Sequence, residues 1–407
     1  MECSCRQELR ALPGLCPRRW FFQGASGRDG CVRDQCELPE THARRGSIMR
    51  TLADVFVGKN NNLTFIRLVA ALSVIYGHTS AIVAGAPADW VAVTTGYAFI
   101  GGVAVDLFFL ISGFLVTASI MNGGVKNYVI ARALRIYPAL WVNLILVTFV
   151  LGSIVTTLSV SDYLTRGETW SYFKGLAFTF RGGFFLPGVF TTNHDQAVNG
   201  SIWSVLYEVW LYVVVLFFYI LGLMRSRAVF NTLFFVLIVV LWNDKSYVPA
   251  AVSSATAMHV CLLFYIGSFL YINRDSVPIS PYFLLIALFL AGITLGTDKF
   301  PYGYILLLVT FFCTVSFLKQ FAWMDKWGDY SYGVYLYGWP AQQLVAWVFP
   351  EFSGTQNCLA ASVIALVCGI ASWHLIEKKA MRLKKVFLGK PKTSTTNSGL
   401  NTQGASI

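Results

Sequence analysis

The hydrophobic residues of this chain are gathered into long, uninterrupted stretches. Each stretch holds between 15 and 25 residues that are almost all apolar, and a helix of about 20 apolar residues is long enough to cross a bilayer. No stretch alternates apolar and polar positions with a period of two, as a barrel strand would. The pattern predicts an all-α membrane protein with about ten transmembrane helices: 63–84, 96–120, 136–157, 203–224, 229–243, 253–272, 281–297, 302–318, 331–349 and 358–376.

The composition excludes a soluble protein. Hydrophobic residues make up 56% of the 407 positions and charged residues only 13%, whereas soluble domains are about 25% charged. Surface-to-volume scaling leaves a globule of this length too much surface for so few polar groups to cover.

Lysine and arginine predict the orientation. If the first stretch enters from the cytoplasm, 25 of the 31 Lys and Arg residues lie on the cytoplasmic side. This asymmetry agrees with the positive-inside rule and predicts that both termini are cytoplasmic. The net charge of +11 is then a consequence of topology, so no nucleic-acid partner is expected.

Three regions are expected. Residues 1–48 hold five of the nine cysteines without an apolar signal-peptide core, and we interpret them as a non-native or disordered extension, with translation starting at Met49. Residues 49–380 form the membrane domain, and 381–407 a cytoplasmic tail that is first basic and then disordered. The cysteine spacing matches no zinc site, so no metal is expected.

The first apolar stretch carries two ionisable residues, Arg67 and His78. Eleven helical steps place both on one face, about 16 Å apart along the axis, so they can address one elongated ligand. A histidine is the natural general base near neutral pH. The alternatives are that Arg67 extends to the membrane surface and that His78 is a neutral ring packed between helices.

The second stretch carries Asp106 near the middle of the bilayer, followed by Ser112 and Gly113. A carboxylate at that depth must be protonated, paired or exposed to a polar cavity. We expect Arg67 or a later arginine as its partner, in a structural pair or a substrate contact. Gly113 permits the close approach of a ligand or of another helix.

Arg132 and Arg135 precede the third stretch, three residues apart and therefore on one helical face. Two guanidinium groups on one face suit a diphosphate. Pro138 is compatible with a helix that begins there. The alternative is an ordinary positive anchor at the cytoplasmic surface.

The fourth stretch opens with Trp203 and Ser204 and reaches Glu208 at a depth comparable with that of His78. A carboxylate beside an imidazole can orient the ring and stabilise its protonated form. The alternative is that Glu208 is a charge near a helix N-terminus, stabilised by the helix dipole. His259, in the sixth stretch, is another intramembrane imidazole that can line the same outer cavity.

Five motifs, in this order along the chain, resemble the acyltransferase-3 family of bacterial integral membrane O-acyltransferases. They are Arg67 with His78, the run Phe108–Phe114, the segment Arg132–Pro138, Ser201–Glu208, and Ser331–Leu336 before Pro340. Two features differ. Many members have a Trp-His pair before that proline, where this chain has Gly338 and Trp339, and the fused extracytoplasmic hydrolase-like domain of some members is not expected here.

The resemblance implies transfer of an acyl group, most often acetyl, from cytoplasmic acyl-coenzyme A to a hydroxyl of a cell-surface glycan or lipid-linked sugar. It implies a location in the bacterial cytoplasmic (inner) membrane, with membrane lipid as a further partner. In this hypothesis Arg67, Arg132 and Arg135 hold the donor, His78 is the general base and Glu208 orients it. The acceptor, the acyl group, an acyl-enzyme intermediate and the oligomeric state stay open. The alternatives are a transporter or flippase for a lipid-linked sugar and a non-catalytic subunit of a glycan-assembly complex.

Overall fold

A computed structural model describes residues 49–56, 61–179, 183–243 and 254–388. The described residues form helices and connecting segments, with no β-strand among them. The predicted N-terminal extension and the last part of the predicted tail lie outside these residues. The α-helices are α1 Leu52–Val55, α2 Leu63–Ile82, α3 Trp90–Thr95, α4 Ile100–Ile145, α5 Gly152–Val155, α6 Val160–Thr165, α7 Gly167–Lys174, α8 Ile202–Ile220, α9 Arg227–Asn243, α10 Ala255–Ile272, α11 Pro281–Thr294, α12 Phe300–Val315, α13 Ser331–Val348, α14 Gly354–Ser372 and α15 Lys378–Leu388.

Among the described residues, four helical segments are long and apolar enough to cross a membrane: Leu63–Ile82, Ile100–Val155, Ile202–Ile220 and Gly354–Leu388. Four shorter helices are also apolar, within α9, α10, α11 and α12. The chain is therefore an all-α membrane protein, as the apolar stretches predict. The count of ten spans and the cytoplasmic side of the termini stay predictions.

The second and third predicted spans belong to one long helix, α4, which bends at Gly124. Gly124 has φ 69° and ψ 173°, a conformation that is open to glycine because it has no Cβ. The segment between these two predicted spans was expected to be a loop. It is helical both before and after Gly124. Pro138 consequently lies inside the second arm of α4 instead of beginning a helix, which corrects the prediction.

The first arm of α4 packs closely against α10, and glycine makes this possible. A Cβ atom on Gly113 would lie 1.9 Å from the carbonyl oxygen of Phe264, and a Cβ on Gly267 would lie 2.2 Å from that of Leu110. Neither backbone atom can move aside without shifting a helix. The prediction that Gly113 admits another helix is confirmed.

Helix α15 begins at Lys378 and extends into the predicted tail, so residues 381–388 are helical. Met381, Lys384 and Leu388 are partly buried, whereas Arg382, Lys385 and Val386 are exposed. The buried positions recur at the spacing of one helical face, and α15 packs with that face against α4.

Candidate functional site

A cavity of about 360 Å³ lies between both arms of α4, α8, α13 and α15. Six of the ten residues predicted for the site line it: Arg67, Ser112, Arg132, Arg135, Ser204 and Glu208. Three helices that are far apart in the chain therefore bring the predicted residues together. We call the part lined by Arg67, Arg132, Arg135 and Lys384 the basic end, and the part lined by Phe108, Ser204 and Tyr335 the aromatic end.

Asp329 forms ion pairs with two arginines at the basic end. It accepts hydrogen bonds from Arg67 and, at 2.7 Å, from Nη2 of Arg135, whose Nη1 donates to Glu377 at 2.7 Å. Ser331, the first residue of α13, donates a hydrogen bond of 2.5 Å from its hydroxyl to the other carboxylate oxygen of Asp329. Burial alone would raise the pKa of Asp329, but the two guanidinium groups and Ser331 lower this pKa to about 2.

Arg132 lies on the same helical face as Arg135 but has different neighbours. Its guanidinium lies over the ring of Tyr212, 5.6 Å from the ring centroid, a contact of the cation–π type. The buried Nε of Arg132 has no hydrogen-bond partner among the residues that the structure describes. Arg132 thus has a buried N–H group without an acceptor among the described residues, while its side chain lines the cavity.

Glu208 lies midway along the cavity and accepts two hydroxyl hydrogen bonds. Ser112 and Tyr212 each donate to its Oε1 at 2.6 Å. Because residues 208 and 212 are one helical turn apart on α8, the tyrosine hydroxyl reaches the carboxylate of its own helix. The contact with Ser112 then ties α8 to α4.

Ser204 and Tyr335 close the aromatic end. Their hydroxyl oxygens lie 2.6 Å apart, and the Tyr335 ring packs edge-on against Phe108 with centroids 5.9 Å apart. Trp203, also predicted for the site, does not line this cavity and packs against Tyr207 with ring centroids 5.8 Å apart.

His78 lies beyond the aromatic end and is not among the cavity-lining residues. Its ring packs against Trp339 and Phe99, with centroid distances of 4.8 Å and 5.6 Å. Nδ1 of His78 lies 2.7 Å from the carbonyl oxygen of Val74. Since a carbonyl oxygen can only accept, Nδ1 carries a proton, and in the neutral ring Nε2 has the free lone pair.

The structure does not join His78 to Glu208. Within the described ranges no hydrogen bond links them, and each has the other partners given above. The ring of His78 is oriented by the backbone of its own helix.

Asp106 and His259 form a second polar cluster away from the cavity lining. Oδ2 of Asp106 lies 2.8 Å from Nε2 of His259 and accepts a 2.6 Å hydrogen bond from the Tyr304 hydroxyl. The expectation that Arg67 or a later arginine pairs with Asp106 is wrong, because α10 and α12 pack against this side of α4 and supply its partners.

Several residues of the site were not assigned to it from the sequence: Lys384, Asp329 and Tyr212, with Glu377 behind them. Tyr335 entered only as part of the motif Ser331–Leu336. The helical period of Met381, Lys384 and Leu388 is a signal that could have found Lys384. Asp329 lies in a short connection, and nothing in its local sequence distinguishes it from a surface carboxylate.

The described residues form a helical bundle, apolar enough to lie in a membrane, with a cavity that three arginines and one lysine line. The model of the acyltransferase-3 family, described as an acyltransferase domain, matches residues 60–376. The chain therefore belongs to the acyltransferase-3 family and is an acyltransferase.

Two curated relatives are similar to this chain. An O-acetyl transferase of Shigella phage Sf6 is 27% identical over 343 residues, which cover 79% of this chain and 96% of that protein. Nodulation protein 10 of Rhizobium leguminosarum bv. viciae is 40% identical over 89 residues, 21% of this chain and 24% of that protein. No solved structure matches the chain.

Proposed function

We propose that the protein transfers an acetyl group from cytoplasmic acetyl-coenzyme A to a hydroxyl of a cell-surface glycan or lipid-linked sugar. Family membership, together with the match to an O-acetyl transferase over 96% of that relative's length, supports the reaction class. The observation that carries the donor assignment is the cavity, because its cations are gathered at one end. An acyl-coenzyme A has the same polarity, with phosphates at one end and an uncharged acyl-pantetheine arm at the other.

In this proposal the donor enters through the basic end from the cytoplasm. Its phosphates remain among the cations, and the acyl-pantetheine arm extends past Ser112 and Glu208 toward the aromatic end. The walls there are largely apolar side chains such as Phe109 and Ile111, which suit an uncharged chain.

His78 remains the general base. Tyr335 lines the cavity and Trp339, one helical turn further along α13, packs against His78, so the thioester reaches the ring by passing the contact between Ser204 and Tyr335. With Nδ1 protonated toward Val74, Nε2 takes the proton of the acceptor hydroxyl as that oxygen attacks the thioester carbonyl. The C–S bond then breaks, and coenzyme A leaves as the thiol after its sulfur takes the proton from Nε2.

Glu208 acts within the cavity. Its carboxylate holds the hydroxyl groups of Ser112 and Tyr212 in place, and we assign it to positioning the donor arm. The orientation of His78, which the sequence analysis assigned to Glu208, comes from Val74 in this proposal. The setting is the bacterial cytoplasmic membrane, with the acyl group crossing the bilayer inside the protein.

The experiment measures transfer of labelled acetyl from acetyl-coenzyme A to glycan in membranes that contain the wild type, His78→Gln or His194→Gln. His194 is exposed and serves as the control. We expect wild-type transfer, a loss of about 100-fold or more in His78→Gln and normal transfer in His194→Gln.

Normal transfer by His78→Gln would remove the base from the proposal. A wild type that moves a lipid-linked sugar across the membrane without acetylating it would instead establish the transporter alternative.

A further inference from the structure

The four cations at the basic end differ in whether a carboxylate neutralises them. Arg67 and Arg135 both bond to Asp329, and Arg135 also bonds to Glu377. Arg132 and Lys384 line the same cavity, yet neither forms an ion pair with any residue that the structure describes. Two of the four positive charges are therefore available to a ligand.

Arg67 and Arg135 form ion pairs that connect different helices. Asp329 precedes α13, while Arg67 and Arg135 lie on α2 and α4, so this carboxylate joins three helices. Arg135 is further enclosed by the rings of Tyr332 and Trp373, 5.6 Å and 5.8 Å from its guanidinium carbon. Moving either arginine onto a ligand would break an ion pair that is largely shielded from solvent, which costs several kcal/mol.

Arg132, in contrast to Arg67 and Arg135, has no carboxylate partner among the described residues. Its buried Nε has no hydrogen-bond partner in the described ranges, and the Tyr212 ring covers the guanidinium without accepting a conventional hydrogen bond. An anion beside Arg132 would satisfy this donor and compensate a buried charge.

Lys384 reaches the cavity because of the way α15 packs. It is partly buried on the face of α15 that packs against α4, whereas its neighbour Lys385 is exposed and does not line the cavity. A lysine ammonium is a compact point charge that suits a phosphate. With Arg132 it supplies two positive charges at one end of the cavity.

We propose that Lys384 and Arg132 form the phosphate-binding pair for the acyl-coenzyme A donor, and that Arg67 and Arg135 are structural. This inference rests on the proposed function, because it names the residues that hold its donor. The source of the phosphate is the donor and not an anionic lipid headgroup, since the pair lines the same cavity as Ser112 and Glu208, where the acyl arm is proposed to lie.

The test compares Lys384→Ala with the matched control Lys385→Ala, using two donors with the same thioester. Acetyl-coenzyme A carries the phosphates, and acetyl-pantetheine has none. For acetyl-coenzyme A we expect Lys384→Ala to raise KM about tenfold, the loss of one charge-assisted hydrogen bond, with kcat nearly unchanged. Lys385→Ala should match the wild type, and Lys384→Arg should recover most of the affinity.

With acetyl-pantetheine, Lys384→Ala and the wild type should have equal kcat/KM. An equal loss with both donors would overturn the inference in favour of a lipid or folding role, and so would a Lys384→Ala KM that matches Lys385→Ala for acetyl-coenzyme A.

Direct binding separates this inference from the proposed function. Desulfo-coenzyme A, which cannot react, should bind the wild type in calorimetry and bind Lys384→Ala about tenfold more weakly. If the wild type binds it and acetylates an acceptor, but Lys384→Ala binds equally well, only this inference fails. If the wild type binds no coenzyme A analogue, the proposed donor fails with it.

Discussion

Among the described residues, two clusters of ionisable side chains inside the helical bundle differ in size and in surroundings. The first joins Arg67, Arg135, Asp329 and Glu377 beside the cavity. The second is a compact group in which Asp106 contacts His259 and Tyr304 away from the cavity lining.

The two clusters show how this protein holds charged side chains inside a membrane bundle. Both clusters satisfy a buried carboxylate with at least two donors from other helices, as a low-dielectric environment requires. Within the part of the chain that the structure describes, the first cluster, which lies at the cavity, has two further cations beside it, Arg132 and Lys384, that form no ion pair. Buried charge is present in both clusters. We infer that positive charge without a carboxylate partner is what distinguishes the ligand site.

The largest expected effect comes from Arg135→Ala. This change leaves the carboxylates of Asp329 and Glu377 without their shared guanidinium, and we expect a loss of about 3–5 kcal/mol in the free energy of unfolding. Arg132→Ala is the matched control on the same helical face, because it removes a cation that has no carboxylate partner among the described residues. Thermal unfolding in detergent measures both, and an equal loss in the two variants would contradict the division between paired and unpaired arginines.

A smaller loss is expected in the second cluster. Asp106→Ala leaves His259 and the hydroxyl of Tyr304 without their acceptor, and we expect a cost of about 2–3 kcal/mol in the same unfolding assay. Asp298→Ala provides the control, since the side chain of Asp298 is 80% exposed in its pair with Lys299. If Tyr304→Phe in the Asp106→Ala background costs as much as Tyr304→Phe alone, the two residues are not coupled.

The smallest expected effect concerns pH. The contribution of Asp329 to stability should not change between about pH 5 and 9. The folded-state pKa of Asp329, about 2, is below its ordinary value of 3.8. Its stabilisation is therefore fully present above the ordinary value and is lost only as the pH falls toward 2. The difference in melting temperature between wild type and Asp329→Asn should stay constant from about pH 5 to 9. A difference that shrinks between pH 7 and 5 would mean that this carboxyl titrates much higher.

The site was predictable to the extent that it depends on short-range spacing. The separation of three residues between Arg132 and Arg135 is enough to predict that they share a helical face. Their different surroundings do not follow, because Asp329 is 194 residues from Arg135 in the chain. The partner expected for Asp106 was wrong for the same reason, as His259 is 153 residues away and any buried cation would have satisfied the local argument.

The sequence by itself determined that this is an all-α membrane protein, because apolar stretches of bilayer length without alternation leave no other way to satisfy the backbone in lipid. It also determined which polar residues lie within the helices, and the family to which their motifs point. Only the tertiary structure decided which charges neutralise one another, that α4 bends at Gly124, and that Lys384 reaches the cavity. Those outcomes depend on which helices pack together, and packing is set by side-chain shape and close backbone approach between segments far apart in the chain.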